Sequence, residues 1–231
     1  MGEAPTVTVV IPALNEALKL PGILADLAQL ECDHDVVVVD GDSRDTTCDV
    51  AREAGARVIA AARGRSTQLN AGAEEAPGEW LCFLHADVRM GKPARDALTA
   101  VVSDRHTQAA VWRFALDGPG TWFRIVEFGA WLRDRFGGLP YGDQGLLVRR
   151  KLFFEIGGFP RIPVMEDVAL IRALKRRAPI KHLRAPLLVS ARRWEREGPY
   201  CTWFRNIVLV TAYLAGVAPE RLAHWYRSES G

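Results

Sequence analysis

The chain has 231 residues, 48% hydrophobic and 25% charged, a composition that suits a globular protein and excludes a disordered one. Its net charge of +2 hides an asymmetry, with 11 basic against 17 acidic side chains in residues 1–115 and 19 against 11 in residues 116–231. A nucleic-acid binder would need its cations on one continuous face, interleaved with stacking aromatics. Here a basic second half accompanies carboxylates at strand ends, which suits an anionic ligand bridged by a cation, so no nucleic-acid partner is expected.

The first elements alternate. Thr6–Ile11 (TVTVVI) is a β-branched run stopped by Pro12, the mark of a buried strand. Pro21 stands where a first helical turn tolerates proline, and Ile23, Leu24, Leu27 and Leu30 follow at helical spacing. Asp35–Val39 (DVVVV) is a second buried strand, running into Asp40-Gly41-Asp42. Ser43 or Asp45 can cap the next helix, which Gly55 closes. Arg57–Ala60 predicts a short third strand, Ser66–Glu75 a third helix, and Trp80–Leu84 (WLCFL) a fourth strand ending at His85-Ala86-Asp87. Such alternation calls for a parallel sheet covered on both faces, with ligands outside the carboxyl ends of its strands. The second half is less regular. Strands are expected near Gln108–Leu116, Gly145–Arg149 and Pro186–Ser190, and helices near Trp122–Phe136, Val168–Arg176 and Thr202–Leu214.

Cys32, Cys48, Cys82 and Cys201 are far apart and form no Cys-x-x-Cys pair. The start, MGEAPTVTVVIPALNE, lacks the basic residues and long apolar core of a secretory signal. Reduced thiols in a cytoplasmic protein are therefore the expectation. Ile207–Ala218 is uncharged but only 12 residues long, too short to cross a bilayer, so a buried or interfacial helix with at most peripheral membrane contact is expected.

No Gly-x-Gly-x-x-Gly turn follows the first strand, where Pro12-Ala13-Leu14-Asn15-Glu16 stands instead, and no Walker-type Gly-Lys-Ser occurs. A hydride-transfer enzyme and a P-loop nucleotidase are both poorly supported. A nucleotide would have to be held by a carboxylate-bound divalent metal and arginines. Asp40, at the end of an apolar strand, could accept an N–H from a nucleobase edge, or could simply cap the following turn. His85 and Asp87 alternate at a strand end, so both could approach one metal or one ribose.

In that order and spacing, VTVVIPALNE, VVVVDGDSRDTT and GEWLCFLHAD resemble family 2 of the glycosyltransferases, with their GT-A fold. The family pattern is a V-V-I-P-x-x-N-E strand end, an Asp-rich turn and an Asp-x-Asp-like metal motif. Five further stretches resemble the subgroup associated with arsenosugar biosynthesis: GRSTQLNAGA (64–73), YGDQGLLVRR (141–150), Glu166-Asp167, SARRWEREG (190–198) and YLAGVAPERLAHWY (213–226).

The resemblance implies an α/β, GT-A-like single domain over residues 1–231, with a mostly parallel central sheet flanked by helices. Residues 1–115 would form the nucleotide-sugar-binding half, and 116–231 the acceptor-binding and catalytic half with the C-terminal helices. Donor contacts would come from Pro12, Ala13, Asn15 and Glu16 at the first strand end, and from Asp40 and Asp42, with Asp40 reading a uracil-like base. His85 and Ala86 would lie on the same side, with Arg65 and Asn70, around the loop that leads into the third helix, approaching ribose or phosphates. Asp87 would ligate Mg²⁺ or Mn²⁺ under the diphosphate. Many relatives have Asp where this chain has His85, whose imidazole can ligate a metal or bond a ribose hydroxyl. Asp167 would be the general base, with Asp143 its rival or an acceptor contact beside Gln144 and Glu166. Arg192, Arg193 and Trp194 are similar to the Q-x-x-R-W signature of polymerising relatives. Ser190 replaces its Gln, which counts against processive synthesis. The implied reaction is metal-dependent, inverting transfer of a sugar from a nucleotide-diphosphate donor, UDP-linked, to a small hydroxyl acceptor. Its rivals are a nucleotidyltransferase on a similar sheet, which would carry a Gly-rich basic stretch after the first strand, and a non-catalytic nucleotide-sugar-binding module.

Overall fold

A computed structural model describes residues 7–118, 121–132, 144–191 and 199–228. The first half alternates strand and helix: β1 (Val7–Ala13), α1 (Leu20–Leu27), β2 (His34–Asp40), α2 (Thr47–Glu53), β3 (Arg57–Ala60), α3 (Arg65–Glu74) and β4 (Trp80–Phe83). Then come β5 (Val88–Arg89), α4 (Lys92–Val102), β6 (Ala109–Asp117), α5 (Thr121–Leu132), β7 (Leu146–Arg149), α6 (Arg150–Glu155), α7 (Glu166–Lys175), β8 (Ile180–Ser190), α8 (Pro199–Leu214) and α9 (Pro219–Ser228).

All eight strands form one sheet in the order β3-β2-β1-β4-β7-β6-β8-β5. The pairs β1–β2, β1–β4, β2–β3 and β6–β8 are parallel, and every antiparallel pair involves β5 or β7. The sheet is therefore mostly parallel, as expected. β7 slots between β4 and β6, so the two halves of the chain share one sheet, and β6 runs through the 115/116 division.

The strands are apolar on both faces because helices cover both. Alternate residues separate cleanly: Val7, Val9 and Ile11 join one core with Leu20, Ile23, Leu27, Leu98 and Trp112. Val10, Val37 and Val39 join the other with Leu69, Phe83, Phe153, Leu170 and Leu174. Gly72 lets α3 lie close on this second face, since a Cβ there would stand 2.3 Å from Val10 Cγ1 and 2.9 Å from Val39 Cγ2.

Three helices had no counterpart in the sequence reading: α4, α6 and α9. The first was legible, since Ala94, Leu98, Val101 and Val102 are buried at helical spacing behind Pro93. The strand expected at Pro186–Ser190 extends back to Ile180, because Ile180–His182 pair with Ala109–Val111 before a bulge and the rest of β8 pairs beyond it.

Candidate functional site

The carboxyl ends of β1 and β2 lie side by side, with Ala13 opposite Asp40. Asn15 adopts a left-handed backbone (φ 55°) and turns the chain, and the residues around it are tied to the loop after β2. The Asn15 N–H donates to Ser43 Oγ (2.9 Å), the Arg44 N–H to Asn15 Oδ1 (2.8 Å), and the Glu16 N–H to Thr47 Oγ1 (2.8 Å). Asp45 takes the Ala17 and Thr47 N–H groups at 3.2 and 3.0 Å. The Thr47 hydroxyl beside it, helped by these backbone donors, holds the Asp45 carboxyl below its ordinary value.

Asp40 is buried, and its oxygens accept the Asp42 and Ser43 N–H groups at 3.2 Å. Closing this turn is therefore one role of Asp40, whatever else its remaining lone pairs take. Asp42, also left-handed (φ 73°), stays exposed and pairs with Arg63 at 3.3 Å. Beneath, the buried Gln68 donates from Nε2 to Ala13 O (2.9 Å) and Val39 O (2.8 Å), locking both strand ends to α3. Pro12 and Ala13 thus enter a stiff frame.

The β4 end carries His85, Ala86 and Asp87. The chain is anchored just beyond, where buried Asp26 of α1 accepts from Arg89 Nε (2.7 Å), Arg89 Nη2 (2.9 Å) and the Met90 N–H (2.8 Å). Burial alone would raise the Asp26 carboxyl, but Arg89 and the Met90 N–H bring it below its ordinary value. Asp87 is half-buried, and among the described residues its carboxylate meets no hydrogen-bond or ion-pair partner. No group of three His, Cys, Asp or Glu among the described residues could hold a metal alone. An available carboxylate still fits Mg²⁺ or Mn²⁺ when substrate phosphates and water complete the shell, the usual arrangement for Mg²⁺.

His85 points elsewhere. Its Nε2 contacts the Arg65 guanidinium, and it lines a cleft that Asp87 does not line. Pro12, Arg65 and His85 line this cleft together with Asp167, Leu170 and Ile171 of α7.

Helix α7 starts after Met165, which is left-handed (φ 67°), and puts Glu166 and Asp167 in its first turn. The two face different surroundings. Asp167 is half-buried at the cleft, and its Oδ1 accepts the Val168 N–H at 2.7 Å. Glu166 is buried, with Oε1 3.4 Å from Arg65 Nε. Burial pushes its carboxyl above the ordinary value, the Arg65 charge opposes that rise, and the Asp167 charge adds to it. Gln144 is 1% exposed, and its Oε1 has no hydrogen-bond partner among the described residues.

Two expected placements need correction. Arg65 opens α3 and Asn70 lies inside it, because Gly64 (φ 137°) supplies the turn that lets the helix begin at once. Asn70 spends its amide on the Phe159 backbone, donating to its carbonyl (2.8 Å) and accepting its N–H (2.9 Å). It ties α3 to the loop before α7, a role the reading as a donor contact did not contain. Asp143, Arg192, Arg193 and Trp194 lie outside the described residues.

Gln68, inside α3, and Arg63, in the loop before it, hold the β1 and β2 ends and the turn after β2, and no motif marks either. A glutamine between Thr67 and Leu69 in a helix of small residues is the available signal, since a buried amide must find backbone partners.

A glycosyl transferase family 2 model matches residues 8–159. The PGL/p-HBAD biosynthesis glycosyltransferase of Mycobacterium tuberculosis is 39% identical over 92 residues, 36% of this chain and 36% of that protein. The chain therefore aligns with about a third of this relative's length. The probable glycosyltransferase YdaM of Bacillus subtilis is 26% identical over 235 residues, 89% of this chain and 54% of its own. Among solved structures, glucosyl-3-phosphoglycerate synthase from Mycobacterium tuberculosis, in complex with Mn²⁺, UDP and phosphoglyceric acid, gives a TM-score of 0.66 at 18% identity, over 92% of this chain and 79% of that one. Mannosyl-3-phosphoglycerate synthase from Rubrobacter xylanophilus gives 0.63 at 18%, over 92% and 75%. At such identity the likeness carries the fold, a GT-A-like α/β domain.

Proposed function

Because the chain belongs to glycosyl transferase family 2, we propose that it transfers a sugar from a UDP-linked donor to a hydroxyl acceptor, with inversion at the sugar carbon. One observation carries this reading: Pro12, Arg65 and His85 from the donor half and Asp167 from α7 wall a single cleft. In an in-line displacement the acceptor oxygen attacks as the diphosphate leaves from the opposite side. Asp167 takes the hydroxyl proton as the new bond forms. Arg65, half-exposed between Glu166 and His85, lies in reach of the leaving group with its charge already oriented. Gln144 Oε1, which has no partner among the described residues, would accept a hydrogen bond from an acceptor hydroxyl.

Asp87 would hold the divalent cation, which when bound neutralises charge developing on the departing diphosphate. Asp40 and Asp42 would serve base and ribose, with Pro12, Ala13, Asn15, Glu16 and Ala86 lining the nucleotide. Arg192, Arg193 and Trp194 would attend the phosphates, and Asp143 the acceptor. The five stretches resembling the arsenosugar-associated subgroup support that setting for the reaction, and the relatives named above do not bear on it.

Calorimetry with UDP tests the donor side. Binding should be tighter by about tenfold or more with Mn²⁺ than with chelator, since a bound cation is a large fraction of such a site's affinity. Asp87→Ala should abolish that difference, whereas Asp40→Ala should weaken binding under both conditions. Equal affinity with Mn²⁺ and chelator in the parent protein would remove Asp87 as a ligand.

A further inference from the structure

Large apolar side chains exposed on a surface are ordinary when scattered, and informative when gathered. Of ten such residues among those described, seven lie on α5, α8 and α9. These three helices are contiguous, α8 packing against both α5 and α9. On α8, Phe204 is 65% exposed, and Ile207, Val208 and Leu214 are exposed with it. At about 100° per residue these positions fall within an arc of roughly 120°. Leu209 and Val210 of the same helix are buried, so the helix has satisfied its core and carries a second apolar stripe outward. Ile125 of α5 and Trp225 of α9 are also exposed, at 61% and 48%.

The helix has 16 residues, about 24 Å of axis, against the roughly 30 Å of a bilayer's hydrocarbon core. Among the described residues no helix is long and apolar enough to cross a membrane. A stripe of this length instead suits a helix lying in the plane of an interface, with apolar side chains down and cations at its margins. The charges argue for the same occupant. Arg124, Arg205 and Arg221 stand on these helices against Glu127 and Glu220, a net positive balance; Glu127 pairs with Arg124 at 2.7 Å, Arg205 is half-buried with a partner of its own, and Arg221 is exposed. A two-fold dimer through this face would set the same cations against each other. Lipid phosphates would attract them, by about 1 kcal/mol per cation near a charged surface. Trp225 has the apolar body and polar N–H that favour the headgroup level.

We propose that the outward face of α5, α8 and α9 docks the protein peripherally on an anionic lipid surface, with Phe204, Ile207, Val208 and Leu214 entering the interface and the exposed Arg221 meeting phosphates.

The full chain, incubated with vesicles of phosphatidylcholine alone or mixed with phosphatidylglycerol, should pellet with the anionic vesicles and be partly released by salt. Phe204→Glu and Val208→Glu should each lower the partition by about tenfold while leaving the thermal midpoint unchanged. Arg221→Gln should lower it less and weaken its salt dependence. If one variant fails to fold, the other carries the measurement. Failure to pellet, equal pelleting with neutral vesicles, or pelleting indifferent to both glutamates would each overturn the proposal. So would sedimentation velocity showing a dimer that the same substitutions dissolve, which would make a second copy the occupant.

Discussion

The two regions that contribute Pro12 and Asp167 to the cleft are built on opposite principles. At the β1 and β2 ends, the side chains of Asn15, Asp40, Ser43, Asp45, Thr47 and Gln68 hydrogen-bond the backbone of the two strand ends and of the loops that follow them. At the start of α7 the polar groups are less comfortable. Glu166 is buried with a raised carboxyl, Gln144 Oε1 has no hydrogen-bond partner among the described residues, and Met165 adopts a left-handed backbone. The first is a rigid frame. The second carries polar groups whose burial is less fully compensated.

The largest test of this contrast is chemical. Asp167→Asn keeps the shape and removes the charge. Turnover should fall by ~10²–10⁴ while calorimetric donor affinity stays near the parent value, because a general base acts mainly in the transition state. Asp143→Asn should mainly raise the acceptor KM. Parent-rate turnover in Asp167→Asn would remove it as the base, and a dead Asp143→Asn alone would exchange the roles. Donor hydrolysis can serve as the assay where no acceptor is in hand.

A smaller effect should break the rigid frame. Gln68→Leu leaves the Ala13 and Val39 carbonyls without their buried donor. The loss should be about 1–3 kcal/mol, a fall in melting temperature of roughly 2–4 °C per kcal/mol for a domain this size. Donor affinity should fall with it, because Pro12 and Ala13 lose their tether. If stability drops and donor affinity does not, the frame serves the fold alone.

The smallest expected effect concerns pH, and the two regions should respond with opposite sign. The lowered Asp45 carboxyl means the folded state prefers the anion. Its contribution is present above the ordinary Asp value and is lost as pH falls through the folded one. Glu166 is raised, so the folded state prefers the protonated acid. Its contribution is present below the ordinary Glu value and is lost as pH rises through the folded one. Melting curves across pH should lose part of their acid limb in Asp45→Asn and part of their upward decline in Glu166→Gln. Identical profiles in parent and Glu166→Gln would mean that Arg65 fully compensates the burial.

The legible part of the site was the part written in short range. Residues 7–11, 35–39 and 80–83 were recognisable as strands from their apolar runs, and their ends at Asn15, Asp40 and His85-Ala86-Asp87 lie where the sheet's carboxyl edge puts them. What those residues touch was not legible. Asn70 and Phe159 are 89 positions apart, Gln68 and Ala13 are 55 apart, and Arg65 meets both His85 and Glu166. No local pattern encodes such pairs, since they follow from how α3 and α7 settle on the sheet.

By itself the sequence determined the alternation of buried strands and helices and the position of Asp40 and Asp87 at strand ends, because periodicity and turn chemistry act over a few residues. The family was legible only as a resemblance of motifs, and the expectation for Asp167 came with it. Only the tertiary structure decided that Asp40 closes its own turn, that His85 faces Arg65, and that Glu166 is drawn out of water while its neighbour Asp167 lines the cleft. Desolvation and partner choice belong to the packed molecule, since each depends on atoms that the chain brings together only when it folds.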